Sequence, residues 1–532
     1  MTGFASLTNR RNQVIYLLLL PSILMIISIS SQSLWIDEGI TALYASQPRF
    51  EDLINELVAT HRAESLMPGY VLYMWLWTKL FGFSEYVLRL SNFPFIFLVL
   101  FIFAAAPLNV PSNQTFRSTN IIFTCASPFI WYYMNEARSY VALFSFSAMG
   151  LAGIIIYFYG TTNWRFIAPY LTAISMILGT FFNVSCVFSV PALIVTAFLI
   201  NIQIKRTARN IVSDWAKPVL FSIPIFMVLS VYCFWAISQG SGGRLQEQTS
   251  AGPNFLHIIF VFYEFLGFGG LGPPRNLLRD ASSLGIFAPY VIWIFSFVIL
   301  LTVGIAFVTS RFREICGRDI KNLILPYLCG FISGFFIFWI FSFITHFTFY
   351  GRHLIFMYPY FIFSVSGIIC AISRVRGNLK FILAFGIIAI LISSDIRLRF
   401  NDAYFKDNYR LAVKTALSIS GPNDPIYWAA NYATGAYYGL FYPNIESSKT
   451  DIPTTWKRSR KAFFASNWSI ELIDENTSND LAAILVLSKF ELFDTKHGWR
   501  LFIEKHAPIE TREFGVFRIY RFVFDRKFDR KL

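Results

Sequence analysis

Charge is scarce. Only 14% of the 532 residues are Asp, Glu, Lys or Arg, against 55% hydrophobic, and a water-soluble chain of this length would need more charge to cover its surface. A single soluble enzyme is excluded. Cysteine is scarce as well: Cys125, Cys186, Cys233, Cys316, Cys329 and Cys370 lie in apolar runs or short basic connections, with no paired ligand spacing and none beyond Cys370. Neither a disulfide framework nor a zinc site is indicated. There is no internal repeat, and no small-residue cleavage site follows the first apolar run, which reads as a retained span rather than a signal peptide.

What is abundant is aromatic. With 59 Phe, 26 Tyr and 13 Trp, the composition describes a lipid-facing interior with interfacial anchors. The net charge of +14 does not imply nucleic acid, because the Lys and Arg punctuate apolar runs instead of clustering on one soluble face. A span needs about 20 mostly apolar residues. Eleven such runs are expected: 13–33, 87–107, 119–135, 139–159, 165–182, 184–201, 218–237, 284–308, 322–346, 354–372 and 379–394.

Alternating sides from a cytoplasmic N-terminus puts the basic connections inside: Arg117; Arg165; Lys205, Arg206, Arg209 and Lys217; Arg311, Arg313, Arg318 and Lys321; Arg374, Arg376 and Lys380. The same count puts 34–86, 238–283 and the tail outside. Within 34–86, the amphipathic run Phe50 to Thr60 and the Trp/Tyr-rich run Tyr70 to Phe81 read as helices lying at the interface. The expected organisation is a membrane domain over 1–394 and an extracytoplasmic α/β domain over 395–532. That tail carries an amphipathic helix in DAYFKDNYRLAVKTAL and strand-like pieces in DPIYWAA, LAAILVL and GVFRIYRFVF.

Four constellations could carry chemistry. Leu34-Trp35-Ile36-Asp37-Glu38-Gly39 sets two carboxylates just after a span, where a proton acceptor could meet a lipid headgroup; a solvated helix end is the competing reading. Asn135-Glu136-Ala137-Arg138-Ser139-Tyr140 is an acid and a base between two apolar runs, and taken alone reads more readily as a structural ion pair than as a site. Tyr350-Gly351-Arg352-His353 offers a guanidinium fork and an imidazole suited to phosphate, or an Arg that merely snorkels. Tyr263-Glu264 followed by GFGGLGPPRNLLR, with Arg275 and Arg279, is neither a Walker loop nor a dinucleotide fingerprint, and reads as site lining or as a tight interfacial turn.

Together LWIDEGITALYA (34–45), MPGYVLYMWLWTKLFGFSEYVLRLSNF (67–93), SPFIWYYMNEARSYVAL (127–143) and GRHLIFMYPY (351–360) resemble the GT-C glycosyltransferases, in the bacterial branch similar to protein O-mannosyltransferases and lipid A aminoarabinose transferase. The resemblance implies a mainly α, polytopic fold with an appended soluble domain, in a multi-pass protein of the cell inner membrane. It implies an inverting transfer of a hexosyl or pentosyl group from a polyprenyl-phosphate carrier to a lipid, glycan or protein acceptor.

By the same resemblance Asp37 is the catalytic base with Glu38 as its companion, and Arg138, Arg352 and His353 bind the donor phosphate. Glu136, Tyr140, Tyr263 and Arg275 support them. Where the family has His-Pro-Pro-Leu this chain has Met67-Pro68-Gly69-Tyr70, so His61 or Arg62 stands nearest to the missing histidine. No cofactor is expected, although Asp37, Glu38 and Glu136 could offer hard oxygen ligands to a divalent cation. The alternative is a transporter or flippase of a lipid-linked or acidic solute, which should show paired broken helices in two related halves. No such symmetry is visible.

Overall fold

The computed structural model describes residues 18–19, 21–60, 63–105, 113–205, 208–236, 238, 253, 255–274, 284–310, 324–373, 379–443, 453, 456–465, 482–489 and 498–524. The chain is mainly helical and divides into two compact units that interleave in sequence. The first holds Met1–Ser30, His61–Tyr70 and Arg89–Tyr404; the second holds Ser31–Thr60, Val71–Leu88 and Phe405–Leu532.

Among the described residues, six helices are long and apolar enough to cross a membrane: Glu85–Ala104, Tyr140–Tyr159, Val184–Ile204, Ser213–Tyr232, Leu325–Ile344 and Gly351–Cys370. The helix Ala168–Phe182 is apolar but shorter. Tyr140–Tyr159 is buried along nearly its whole length. Small residues make that possible, since a Cβ on Gly153 would stand 2.2 Å from Thr172 Oγ1 of Ala168–Phe182, so the two helices approach closely.

The run expected to span at 119–135 is instead two helices, Asn113–Cys125 and Pro128–Met134. Pro128 cannot donate the hydrogen bond that would continue the first helix, and Ser127 starts the second by accepting from Ile130 N at 3.2 Å. The run at 284–308 also begins as a 3-10 turn, Leu284–Tyr290, before Val291–Ser310.

The tail's long expected helix is shorter too. Asp402–Tyr404 is a single turn, and the helix proper, Tyr409–Ile419, starts at Asn408, whose side chain accepts from Leu411 N. Among the described residues seven strands follow: β1 (Ile426–Ala429), β2 (Leu440–Phe441), β3 (Arg460–Lys461), β4 (Phe463–Phe464), β5 (Ala482–Ser488), β6 (Glu510–Phe514) and β7 (Phe517–Val523). Five form one sheet in the order β4-β1-β5-β7-β6, parallel across β4, β1 and β5 and antiparallel beyond. The fully buried β1 and nearly continuous apolar β5 are what a parallel core covered on both faces requires. Tyr427, Leu485, Leu487, Trp499 and Phe522 form that core.

Candidate active site

In the first unit the residues after Pro128–Met134 are held as a tight turn. Asn92 Nδ2 donates to Met134 O (3.2 Å) and Glu136 O (2.6 Å), while Asn135 Oδ1 accepts from Ser30 N. Arg138 N closes the turn onto Glu136 O at 2.8 Å, and the next helix starts at Tyr140, whose ring meets Tyr133 edge-on at 5.0 Å. Arg138 is thereby turned inward, 6% exposed, with Nη1 2.5 Å from Glu64 Oε1, itself 3% exposed. Glu136 is buried in the same turn.

The Gly351–Met357 turn carries Arg352 and His353. A second buried acid, Glu264, accepts from Gly351 N at 2.8 Å, and a Cβ on Gly351 would stand 2.2 Å from that carboxylate. Only glycine fits. Arg352 lies 5.8 Å from the Tyr350 ring centroid. Its Nε is 3.3 Å from His353 Nε2, and His353 Nδ1 accepts from Tyr350 N at 3.0 Å.

A neutral imidazole has one acceptor nitrogen. Both ring nitrogens face N–H donors, Tyr350 N on Nδ1 and Arg352 Nε on Nε2, and a neutral imidazole accepts from one of them at a time. Arg138 also lies within electrostatic reach of His353, so three of the residues singled out in sequence come together here.

Tyr263 stacks on Phe260 and Phe268, and a Cβ on Gly272 would overlap its hydroxyl. The glycine-rich segment is therefore a packed turn: Gly270 N donates to Ser394 Oγ at 3.0 Å, and Tyr404 donates to Gly272 O at 2.7 Å. His61, Arg62 and Arg275 lie outside the described residues.

Asp37 and Glu38 belong to the second unit, in the first turn of the helix Ile36–Ala45, where carboxylates suit the helix dipole. They differ sharply. Asp37 is half-buried; Glu38 is wholly buried, accepting from Trp35 N at 3.4 Å and facing Lys406 Nζ at 3.6 Å. Lys489 and Asp407 form a further buried pair at 3.0 Å. Burial, with the charges of Asp407 and Asp37, holds the Tyr409 phenol above its ordinary range, so it stays neutral.

Upstream, Leu34 N donates to Tyr438 Oη at 2.8 Å, Arg410 N donates to Ser33 Oγ at 3.0 Å, and Arg410 and Tyr438 both bond Glu85. Glu64, Asn92 and Lys406 were not singled out in sequence, and Glu264 drew notice only as Tyr263's neighbour. Each acts on a residue far away in the chain, and no local pattern marks such a pair. Among the described residues no group of three or more His, Cys, Asp or Glu side chains is placed to hold a metal ion. Glu38, one of the carboxylates that could offer oxygen to a cation, is engaged by Lys406 at 3.6 Å.

One unit is rich in long apolar helices and the other is built around a mixed sheet. No family model matches the sequence, and no curated protein matches it. Among solved structures, ArnT from Cupriavidus metallidurans shares the fold in its apo state (10% identity) and bound to undecaprenyl phosphate (11% identity). Each has a TM-score of 0.50 over 96% of this chain and 98% of ArnT. The arabinofuranosyltransferase AftD from Mycobacteria matches with a TM-score of 0.41 and 11% identity over 97% of this chain and 40% of its own. The fold shared with ArnT is the one the sequence motifs lead one to expect.

Proposed function

We propose that this chain is an inverting glycosyltransferase that moves a sugar from a polyprenyl-phosphate carrier to an acceptor hydroxyl. The observation that carries the reading is the convergence of Arg138, Arg352 and His353, far apart in sequence, into one donor-rich cluster in the spanning unit. The fold shared with a protein that binds undecaprenyl phosphate supports it.

In the step proposed, the acceptor oxygen attacks the anomeric carbon and the bond from that carbon to the phosphate oxygen breaks. The bonding pair leaves with the phosphate, and the acceptor proton passes to Asp37. Charge grows on the leaving phosphate, so fixed donors stabilise the transition state more than the ground state. The attacking hydroxyl becomes more acidic as its bond forms, so a carboxylate can accept its proton late.

The test uses the full chain in detergent with undecaprenyl-phosphate mannose and undecaprenyl-phosphate aminoarabinose, following release of undecaprenyl phosphate. Asp37→Asn should lower turnover roughly 10²–10⁴-fold, the usual cost of losing a general base. Arg352→Ala should raise the barrier by about 2.7–4 kcal/mol, and Arg352→Lys should recover only part, because an ammonium keeps the charge but not the fork. Near-normal release by Asp37→Asn removes the base, and near-normal release by Arg352→Ala removes it from the phosphate.

A further inference from the structure

The carboxylate next to the proposed base is itself held by the C-terminal domain. Glu38 is wholly buried, and a buried carboxylate without a cation is costly. Lys406, whose side chain is 7% exposed, supplies that cation at 3.6 Å, and Glu38 in turn accepts from Trp35 N, the start of the helix that bears Asp37. The connection thus runs from Lys406 through Glu38 to the helix start and to Asp37, one residue away.

Neighbouring contacts act in the same sense. Tyr438 bonds Leu34 N and Arg410 bonds the Ser33 hydroxyl and Ser31 O, so the approach to the helix is pinned. On the helix itself, a Cβ at Gly39 would stand 2.9 Å from the backbone Cα of Thr434, so the helix Tyr432–Tyr437 rests directly on it. Tyr432–Tyr437 follows β1 and Lys489 follows β5, so the contacts gather at the carboxyl ends of the parallel strands, the edge at which open sheets present their functional groups.

We propose that Lys406 is a positioning residue for transfer: by neutralising Glu38 it fixes the helix start that presents Asp37. The C-terminal domain is then part of the catalytic apparatus and not only a cover for the acceptor. This inference rests on the proposed role of Asp37.

The experiment compares the full-length wild type, Asp37→Asn, Lys406→Arg, Lys406→Met and the neutral pair Lys406→Met/Glu38→Gln. Folded fraction is measured by size exclusion and thermal unfolding, and kcat and KM with undecaprenyl-phosphate mannose and undecaprenyl-phosphate aminoarabinose. Lys406→Met should lower kcat per folded molecule at least about fivefold with KM little changed, since displacing a reacting group by about 1 Å costs up to about 100-fold. Lys406→Arg and the neutral pair should both regain most of that loss, the first by restoring the cation and the second by removing the charge that needs it.

A smaller fall in kcat, a loss carried by KM or by the folded fraction, or a loss that neither rescue recovers overturns the inference while Asp37→Asn remains inactive. Undiminished transfer by Asp37→Asn instead sinks the base assignment, and the positioning role goes with it. Should Lys406→Met not fold, Lys406→Gln, which keeps a polar head on the stem, takes its place in the same comparison.

Discussion

Several buried charges among the described residues are paired, and each pairing makes the partner's removal expensive. Glu64 and Arg138 are the clearest instance, 74 positions apart in sequence and both nearly inaccessible. Glu64→Gln leaves the guanidinium buried without its counter-charge, and breaking such a pair from one side costs about 3–5 kcal/mol. A lowered unfolding temperature in detergent is expected, and wild-type stability of Glu64→Gln would contradict it.

Asp395 is a buried acid of a different kind. Burial pushes its carboxyl up to about 7, with Arg399 four residues on pulling it back at 4.0 Å. Because the folded value lies above the unfolded one, the protonated acid is the stabilising form. Its contribution is complete below the unfolded value of about 3.8 and is lost as the pH rises through about 7. Unfolding temperatures measured between about pH 5 and pH 8 should therefore decline more in the wild type than in Asp395→Asn, and parallel profiles would exclude this acid as the source.

The glycine-rich segment shows what composition conveys and what it does not. Its glycines forbid a regular helix, and the structure makes it a turn packed against the helix Leu379–Phe400. Two adjacent glycines within it have unlike surroundings. A Cβ on Gly270 would stand 2.1 Å from Ser394 O, whereas one on Gly269 would meet only Leu398 Cδ1 at 3.7 Å, ordinary contact. Gly270→Ala should destabilise by about 1–3 kcal/mol, as overpacking does, while Gly269→Ala should be tolerated. Equal unfolding temperatures for the two variants would show that the turn can yield. The pair also explains why the sequence left site lining and tight turn open: spacing is the same for both glycines, and only the neighbouring helix distinguishes them.

The two units draw on interleaved stretches of chain, so the segment bearing Asp37 folds with residues more than 350 positions later. The expected sidedness follows from Lys and Arg in the short loops, with the N-terminus in the cytoplasm and the C-terminus outside. A reporter fused after Leu532 that is active only outside the cytoplasm is the expected result, and cytoplasmic activity would reverse the side assigned to Asp37, Arg138 and Arg352 alike.

Apolar run length and composition are local properties, so the membrane class, several spans and the strands β1, β5 and β7 were legible in the sequence. So were Asp37, Arg138, Arg352 and His353 as candidates, because charge at the end of an apolar run stands out against its neighbours. The break at Ser127-Pro128, the inward turn of Arg138 onto Glu64 and the burial of Glu38 beneath Lys406 were decided by tertiary structure. Each depends on which distant side chain fills the space beside it. Adjacent Asp37 and Glu38 look alike in a sequence, but successive helical residues point about 100° apart, so one meets Lys406 in the interior while the other stays half-buried.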